Sequence, residues 1–253
     1  MFQLSLFQKA SIRAAAVALA AIAALSSTGM AEEPDYIAGE IHGMTIFALH
    51  PDSDRIGNVR TTDAETALQA IGAAIDLAYR RSPFTRERID MLQGKGDIQF
   101  LYDARHPEDV MTEVNIASFV PKFYDPDQGE HVFLVLIGRT GIQWSSVELA
   151  AAVAHELAGH AYQRMEGRLL GMRILDAECE AYLVHEQANQ DIGADKTTDE
   201  AIALRQATDY HWCDDFRRWT LAEGLTVADE WDALNPNVPA LLNAFKSYIA
   251  EQE

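Results

Sequence analysis

The feature that most constrains this chain is residues 155–160, His-Glu-Leu-Ala-Gly-His, set in an alanine-rich stretch. Two histidines that share a metal on a regular α-helix are spaced i and i+4, about 40° apart around the axis. Here His160 follows His155 at i+5, which on a regular helix turns the two rings about 140° apart. A shared ion therefore requires a π-bulge, which absorbs one residue, returns i and i+5 to one face, and is frequent at functional sites. Gly159 lies inside the inserted stretch, where a distorted helix tolerates it; elsewhere in a helix a glycine costs ~1 kcal/mol relative to alanine.

A hydrolytic metal site needs a third protein ligand and an open coordination position. Asp176-Ala-Glu178-Cys-Glu180-Ala-Tyr182 follows on the next helical stretch. Glu178 and Glu180 lie about 200° apart on a helix, so only one can face the metal. Glu178 is the preferred ligand because Ala181, one turn later, lets two helices approach closely. Glu180 has Leu183 at the equivalent place, and Leu183 would crowd the seam.

The pair HELAGH and AECEAY resembles the His-Glu-x-x-Gly-His and Glu-Glu-Cys-Arg-Ala-Glu pair of the dipeptidyl peptidase III family of gluzincins. The resemblance places His155, His160 and Glu178 on zinc ligands and Glu156 on the general base. Ala177, Glu180 and Tyr182 stand where that family has Glu, Arg and Glu, and the match covers about 28 residues. The separation of the two motifs is more similar to that of small single-domain gluzincins. The resemblance implies a zincin-like domain with Zn2+ as cofactor and a peptide or protein substrate. Glu156 would take a proton from the attacking water and pass it to the leaving amine. Tyr210 and His211 are candidate donors to the tetrahedral oxyanion. The alternative reading is a non-catalytic zinc-binding or interaction protein on a protease-like scaffold.

The chain begins with an address. Lys9 and Arg13 precede an apolar run, Ala14 to Leu25, and then the small, polar Ser26 to Ala31, with Gly29 and Ala31 at the −3 and −1 positions. This is the order of a secretory signal, and a run of 12 is too short for the ~20 residues of a membrane-spanning helix. Cleavage after Ala31 removes two cations and no carboxylate, taking the net charge of the 253-residue chain from −19 to −21. Such acidity disfavours binding to phosphate backbones and to anionic lipid, so neither nucleic acid nor a membrane beyond export is an expected partner. The expected location is periplasmic or secreted, where a bridge between the two cysteines, Cys179 and Cys213, is permitted.

Residues 32–253 read as one α+β domain, strands first and helices after. Strands are expected within Tyr36–Leu49 and over Ile98–Tyr102, Val114–Val120 and His131–Ile137. Asp63 caps a helix ending before Pro83. Ser145-x-x-Glu148 is a capping box for a helix reaching about Gly167. Further helices are expected over Ile174–Asp191, from a Thr197-x-x-Glu200 box to Glu223, and after Asn235-Pro236. Trp212, Phe216 and Trp219 have core spacing, Arg86-Glu87-Arg88 reads as a solvated face, and His185 as exposed.

Overall fold

The computed structural model describes residues 36–106 and 116–252. The secretory segment, and the start of the strand expected over Val114–Val120, lie outside the described residues. The chain is mixed α/β, 56% helical and 17% strand, in keeping with the α+β expectation. It divides into two compact units, one comprising the chain up to Gly72 with Leu92–Gln143, the other Ala73–Met91 with Trp144 onward. Among the described residues no helix is long and apolar enough to cross a membrane.

The first unit is built on a six-stranded sheet. Strands β1 (Tyr36–Ile41) and β2 (Met44–Leu49) form an antiparallel hairpin. Its two turn residues, His42 and Gly43, both take positive φ, the conformation that matches the twist of a tight hairpin. Strands β3 (Arg55–Ile56) and β4 (Val59–Arg60) form a separate ribbon. Strand β5 (Asp97–Tyr102) pairs parallel to β2, and β8 (Glu130–Ile137) parallel to β5. Strands β6 (Ala117–Val120) and β7 (Tyr124–Asp125) run antiparallel to β8. Phe47, Leu49, Leu101, Val132, Leu134 and Leu136 form one apolar face. Their i, i+2 spacing is the strand period, and burial of both faces explains why Val132–Ile137 is uninterruptedly apolar. The parallel pairing of β2, β5 and β8 is not evident from a strands-then-helices reading, because it depends on a crossover.

That crossover contains α1 (Ala64–Arg81) and α2 (Pro83–Gln93). Asp63 caps α1 as expected, accepting from the Thr66 amide at 2.8 Å. The helix Pro83–Gln93 was not among the expected elements. The proline that ends one helix starts the next, occupying its first turn while the Ser82 hydroxyl accepts from the Thr85 amide at 3.1 Å.

The second unit is helical. Ser145 and Glu148 form the expected capping box of α3 (Ser146–Ala154). The helix continues as a π-helical segment, His155–Ala161, and closes with α4 (Tyr162–Met165). Helix α5 (Ile174–Ile192) ends at Gly193, whose φ of 80° makes the left-handed cap that glycine adopts without strain. The third expected helix is broken: α6 (Asp199–Ala207) passes into a π segment, Thr208–Trp212, and α7 (Asp214–Ala222) restarts after Cys213. Its cap is Thr198, which accepts from the Ala201 amide at 3.1 Å, whereas Thr197 is held by Asp195. Helix α8 (Val238–Ala250) completes the unit.

Cys179 and Cys213 form a disulfide that ties α5 to the start of α7. Around it lies an aromatic core in which Phe216 meets Trp231, Phe245 and Tyr248. Trp219 packs beside this core, but Trp212 instead stacks on Tyr182, with ring centroids 5.6 Å apart. Arg88 is not on a solvated face. Its guanidinium lies between the Phe84 and Tyr162 rings and donates to the Ala158 carbonyl in the π segment at 2.5 Å. Residues 84 and 88 share one face of α2, which the sequence reading could not see without the helix. Burial pushes the Arg88 pKa down.

Candidate metal centre

The π-helical segment spans His155 to Ala161, the stretch that the i+5 histidine spacing demands. It brings His155 Nε2 and His160 Nε2 to 3.1 Å. Glu178, from α5, places one carboxylate oxygen 3.4 Å from His155 Nε2 and the other 3.4 Å from His160 Nε2. A tetrahedral ion bound at about 2.0–2.1 Å by each donor separates neighbouring donor atoms by about 3.3–3.4 Å. The three side chains therefore fit one ion, and the donors are the imidazole and carboxylate groups that divalent transition metals take. The side chains of His155, His160 and Glu178 are 10%, 12% and 27% exposed, so the cluster is sheltered yet reachable.

The close approach of α5 to the π segment rests on two small residues. A Cβ added to Gly159 would lie 2.8 Å from the Ala181 Cβ and 3.0 Å from its Cα. Glycine is thus required here for helix contact as well as tolerated by the bulge. Glu178 lies one turn before Ala181 and reaches the histidines through this contact.

Glu180 is not part of the triad. Its carboxylate, 4% exposed, takes two hydrogen bonds from Arg168 at 2.8 and 2.9 Å, and one from Gln163 Nε2 at 3.2 Å. Gln163 Nε2 also donates to the Ala177 carbonyl at 2.9 Å. With its amino group committed to two acceptors, Gln163 turns Oε1 to His160 Nδ1, 3.1 Å away. That oxygen can only accept, so the proton sits on Nδ1 and the Nε2 lone pair of a neutral His160 faces the other two ligands. The pair of half-buried Arg168 and buried Glu180 thereby reaches the candidate metal site through one amide.

Without a metal, the three ligands hold one another. Burial pushes the His160 pKa down, but hydrogen bonding to Glu178 and the charges of Glu156 and Glu178 outweigh it and raise it to about 9. Burial opposes ionisation of Glu178, yet hydrogen bonds from His155 and His160 hold its carboxyl well below the usual carboxylate range.

The chain matches no protein-family model, no curated protein and no solved structure.

Glu156 is buried beside the ligands, close enough that its charge acts on both His160 and Tyr182. Tyr182 packs edge-on against His155, with centroids 4.6 Å apart; burial, and then the charges of Glu178 and Glu156, push its hydroxyl pKa up to about 12. Tyr210 is 61% exposed with Arg217 over its ring. His211 is exposed against Trp212, and among the described residues connects to His155 through Trp212 and Tyr182. Neither Tyr210 nor His211 makes a described contact with the three ligands.

His185 was expected on the surface but is only 7% exposed. It follows Glu178 by two turns on one face of α5, and that face is packed against the π segment. Its ring lies 6.0 Å from that of His155. Sequence reasoning missed the supporting roles of Gln163, Tyr182 and His185. Their signal was present as i+3, i+4 and i+7 offsets from His160 and Glu178.

Proposed function

We propose that this chain is an exported zinc-dependent metallopeptidase that hydrolyses peptide bonds. The observation that carries the reading is the donor geometry: two imidazole nitrogens and a carboxylate at mutual distances of 3.1 to 3.4 Å on a π-helical His-Glu-x-x-Gly-His segment. Two histidines and one carboxylate form a common catalytic ligand set for zinc, one that leaves a position open. Zinc, when bound, polarises a substrate carbonyl and makes a water molecule acidic enough to attack near neutral pH. Glu156 accepts that water's proton and delivers it to the leaving amine. Tyr182, the phenol that contacts a ligand and stays protonated, donates to the oxyanion ahead of the more exposed Tyr210 and His211. The disulfide supports an oxidising compartment, in line with the secretory segment.

The test is Glu156→Gln in the mature chain, with zinc measured by elemental mass spectrometry and cleavage measured on a peptide library. The expected result is one zinc per chain in both proteins and cleavage only in the parent. Cleavage that survives the substitution would overturn the mechanism. Zinc in both proteins with cleavage in neither would replace it with the non-catalytic zinc-binding reading.

A further inference from the structure

A cavity of about 850 Å³ lies within the helical unit, and its wall includes Tyr182 and His185, both of which pack on His155. The volume falls within the ~300–1,000 Å³ range of small-ligand sites. Trp144, Leu204, Trp231 and Leu234 supply apolar wall, and Leu234 is 61% exposed. His185, 93% buried, lines this cavity and makes ring contacts but no hydrogen bond among the described residues. Its nitrogens are not among the fully sealed polar atoms of the described residues, so a group entering the cavity can reach them and complete their hydrogen bonding.

The charge of the wall is one-sided. Six carboxylates line it against two cations, Lys196 and Arg205. Both cations are engaged: Lys196 meets Glu186 at 2.5 Å and Arg205 meets Asp209 at 3.0 Å. The remaining carboxylates include the exposed Glu200 and Asp232, so the wall carries a net negative charge. An anionic ligand is disfavoured there and a cationic one is drawn in.

We infer that this cavity is a recognition pocket for a peptide carrying a bulky apolar side chain flanked by basic residues, with His185 hydrogen-bonding the bound peptide. The inference rests on the metallopeptidase reading for the choice of a peptide as ligand, and it specifies the substrate class. Apolar walls accept the side chain, surplus carboxylates attract its basic neighbours, and Tyr182 and His185, which line the cavity and touch His155, lie between the bound segment and the metal ligands.

The experiment measures binding, so that it reads separately from hydrolysis. The zinc-treated mature protein carrying Glu156→Gln is titrated calorimetrically with three blocked tripeptides: acetyl-Lys-Phe-Lys-amide, acetyl-Glu-Phe-Glu-amide and acetyl-Lys-Ala-Lys-amide. The first is expected to bind at least about tenfold tighter than either of the others. Adding Ala201→Phe, which fills the cavity from α6, is expected to abolish that preference while zinc content and the far-ultraviolet spectrum stay unchanged. Adding His185→Phe, which keeps the ring and removes its nitrogens, is expected to weaken the first peptide about tenfold. Equal binding of all three peptides, or a preference that survives Ala201→Phe, overturns the pocket. If Ala201→Phe does not fold, the His185→Phe titration decides, and undiminished binding overturns the proposal. Selective binding in a protein that never cleaves would leave the pocket standing and remove only the hydrolase reading.

Discussion

A Cβ placed on Gly159 would come within 2.8 Å of the Cβ of Ala181. Replacing a mid-helix glycine by alanine ordinarily stabilises a protein by about 0.5–1 kcal/mol. Here the sign reverses. Gly159→Ala forces α5 away from the π segment and should cost about 1–3 kcal/mol as overpacking. It should also weaken metal binding, because Glu178 is carried on the displaced helix. Thermal melts of Gly159→Ala, and of the same variant with Ala181→Gly, check this: the single change lowers Tm and the pair recovers part of the loss.

Gln163 is held in one orientation by two acceptors and therefore fixes the proton on His160 Nδ1. Gln163→Met keeps length and approximate volume but removes that control. Metal affinity should fall about 10–100-fold, the range seen when partners of metal-bound histidines are lost. Competition with a chromogenic chelator measures it, and unchanged affinity would show that the Nδ1 contact is dispensable.

Proton and metal compete at His160. Its raised pKa of about 9 means that a proton must leave before the metal binds over most of the accessible pH range. Metal affinity should therefore rise about tenfold per pH unit up to pH 9 and then level off. The sign for folding follows from linkage. In metal-free protein, the His160 contribution is fully present below its ordinary value of 6.5 and is lost as pH rises through 9. Glu178, held below its ordinary 4.5, contributes above that value and is lost on acidification. Chelated protein should lose thermal stability between pH 7 and pH 9.5 by more than metal-loaded protein does, as scanning calorimetry with and without chelator will show.

The Cys179–Cys213 bridge joins residues separated by 34 positions and anchors α5 at the residue next to Glu178. In the chain-entropy model a loop of this length contributes about 3–4 kcal/mol. Cys179→Ala with Cys213→Ala should lower the unfolding free energy by that amount, measured by guanidinium denaturation against the oxidised parent. The loss should be larger in the metal-loaded protein if the bridge also holds Glu178 in place, because weaker metal binding then adds to it.

Much of this was legible in the sequence because it is local. The Asp63 and Ser145 caps, the helix ending at Gly193 and the strands over Ile98–Tyr102 and His131–Ile137 follow from capping chemistry and from period. The i+5 spacing of His155 and His160 required a π distortion for any shared ion, and Ala181 pointed to Glu178 over Glu180. Long-range choices left no such mark. The parallel pairing of β5 with β2 and β8, the stacking of Trp212 on Tyr182 rather than in the aromatic core, and the burial of Arg88 depend on which faces meet. The role of Glu180 was equally hidden, since its partners Arg168 and Gln163 are 12 and 17 residues away.

The division has a physical basis. The sequence alone determined which residues could act as ligands and what local backbone they needed, because helix period, caps and side-chain chemistry operate within a few residues. Only the tertiary structure decided that the ligands converge, that one amide orients His160, and that an unpartnered His185 lines an acidic cavity. Those outcomes depend on helix packing, in which contacts as small as Gly159 against Ala181 set the distances between side chains far apart in the chain.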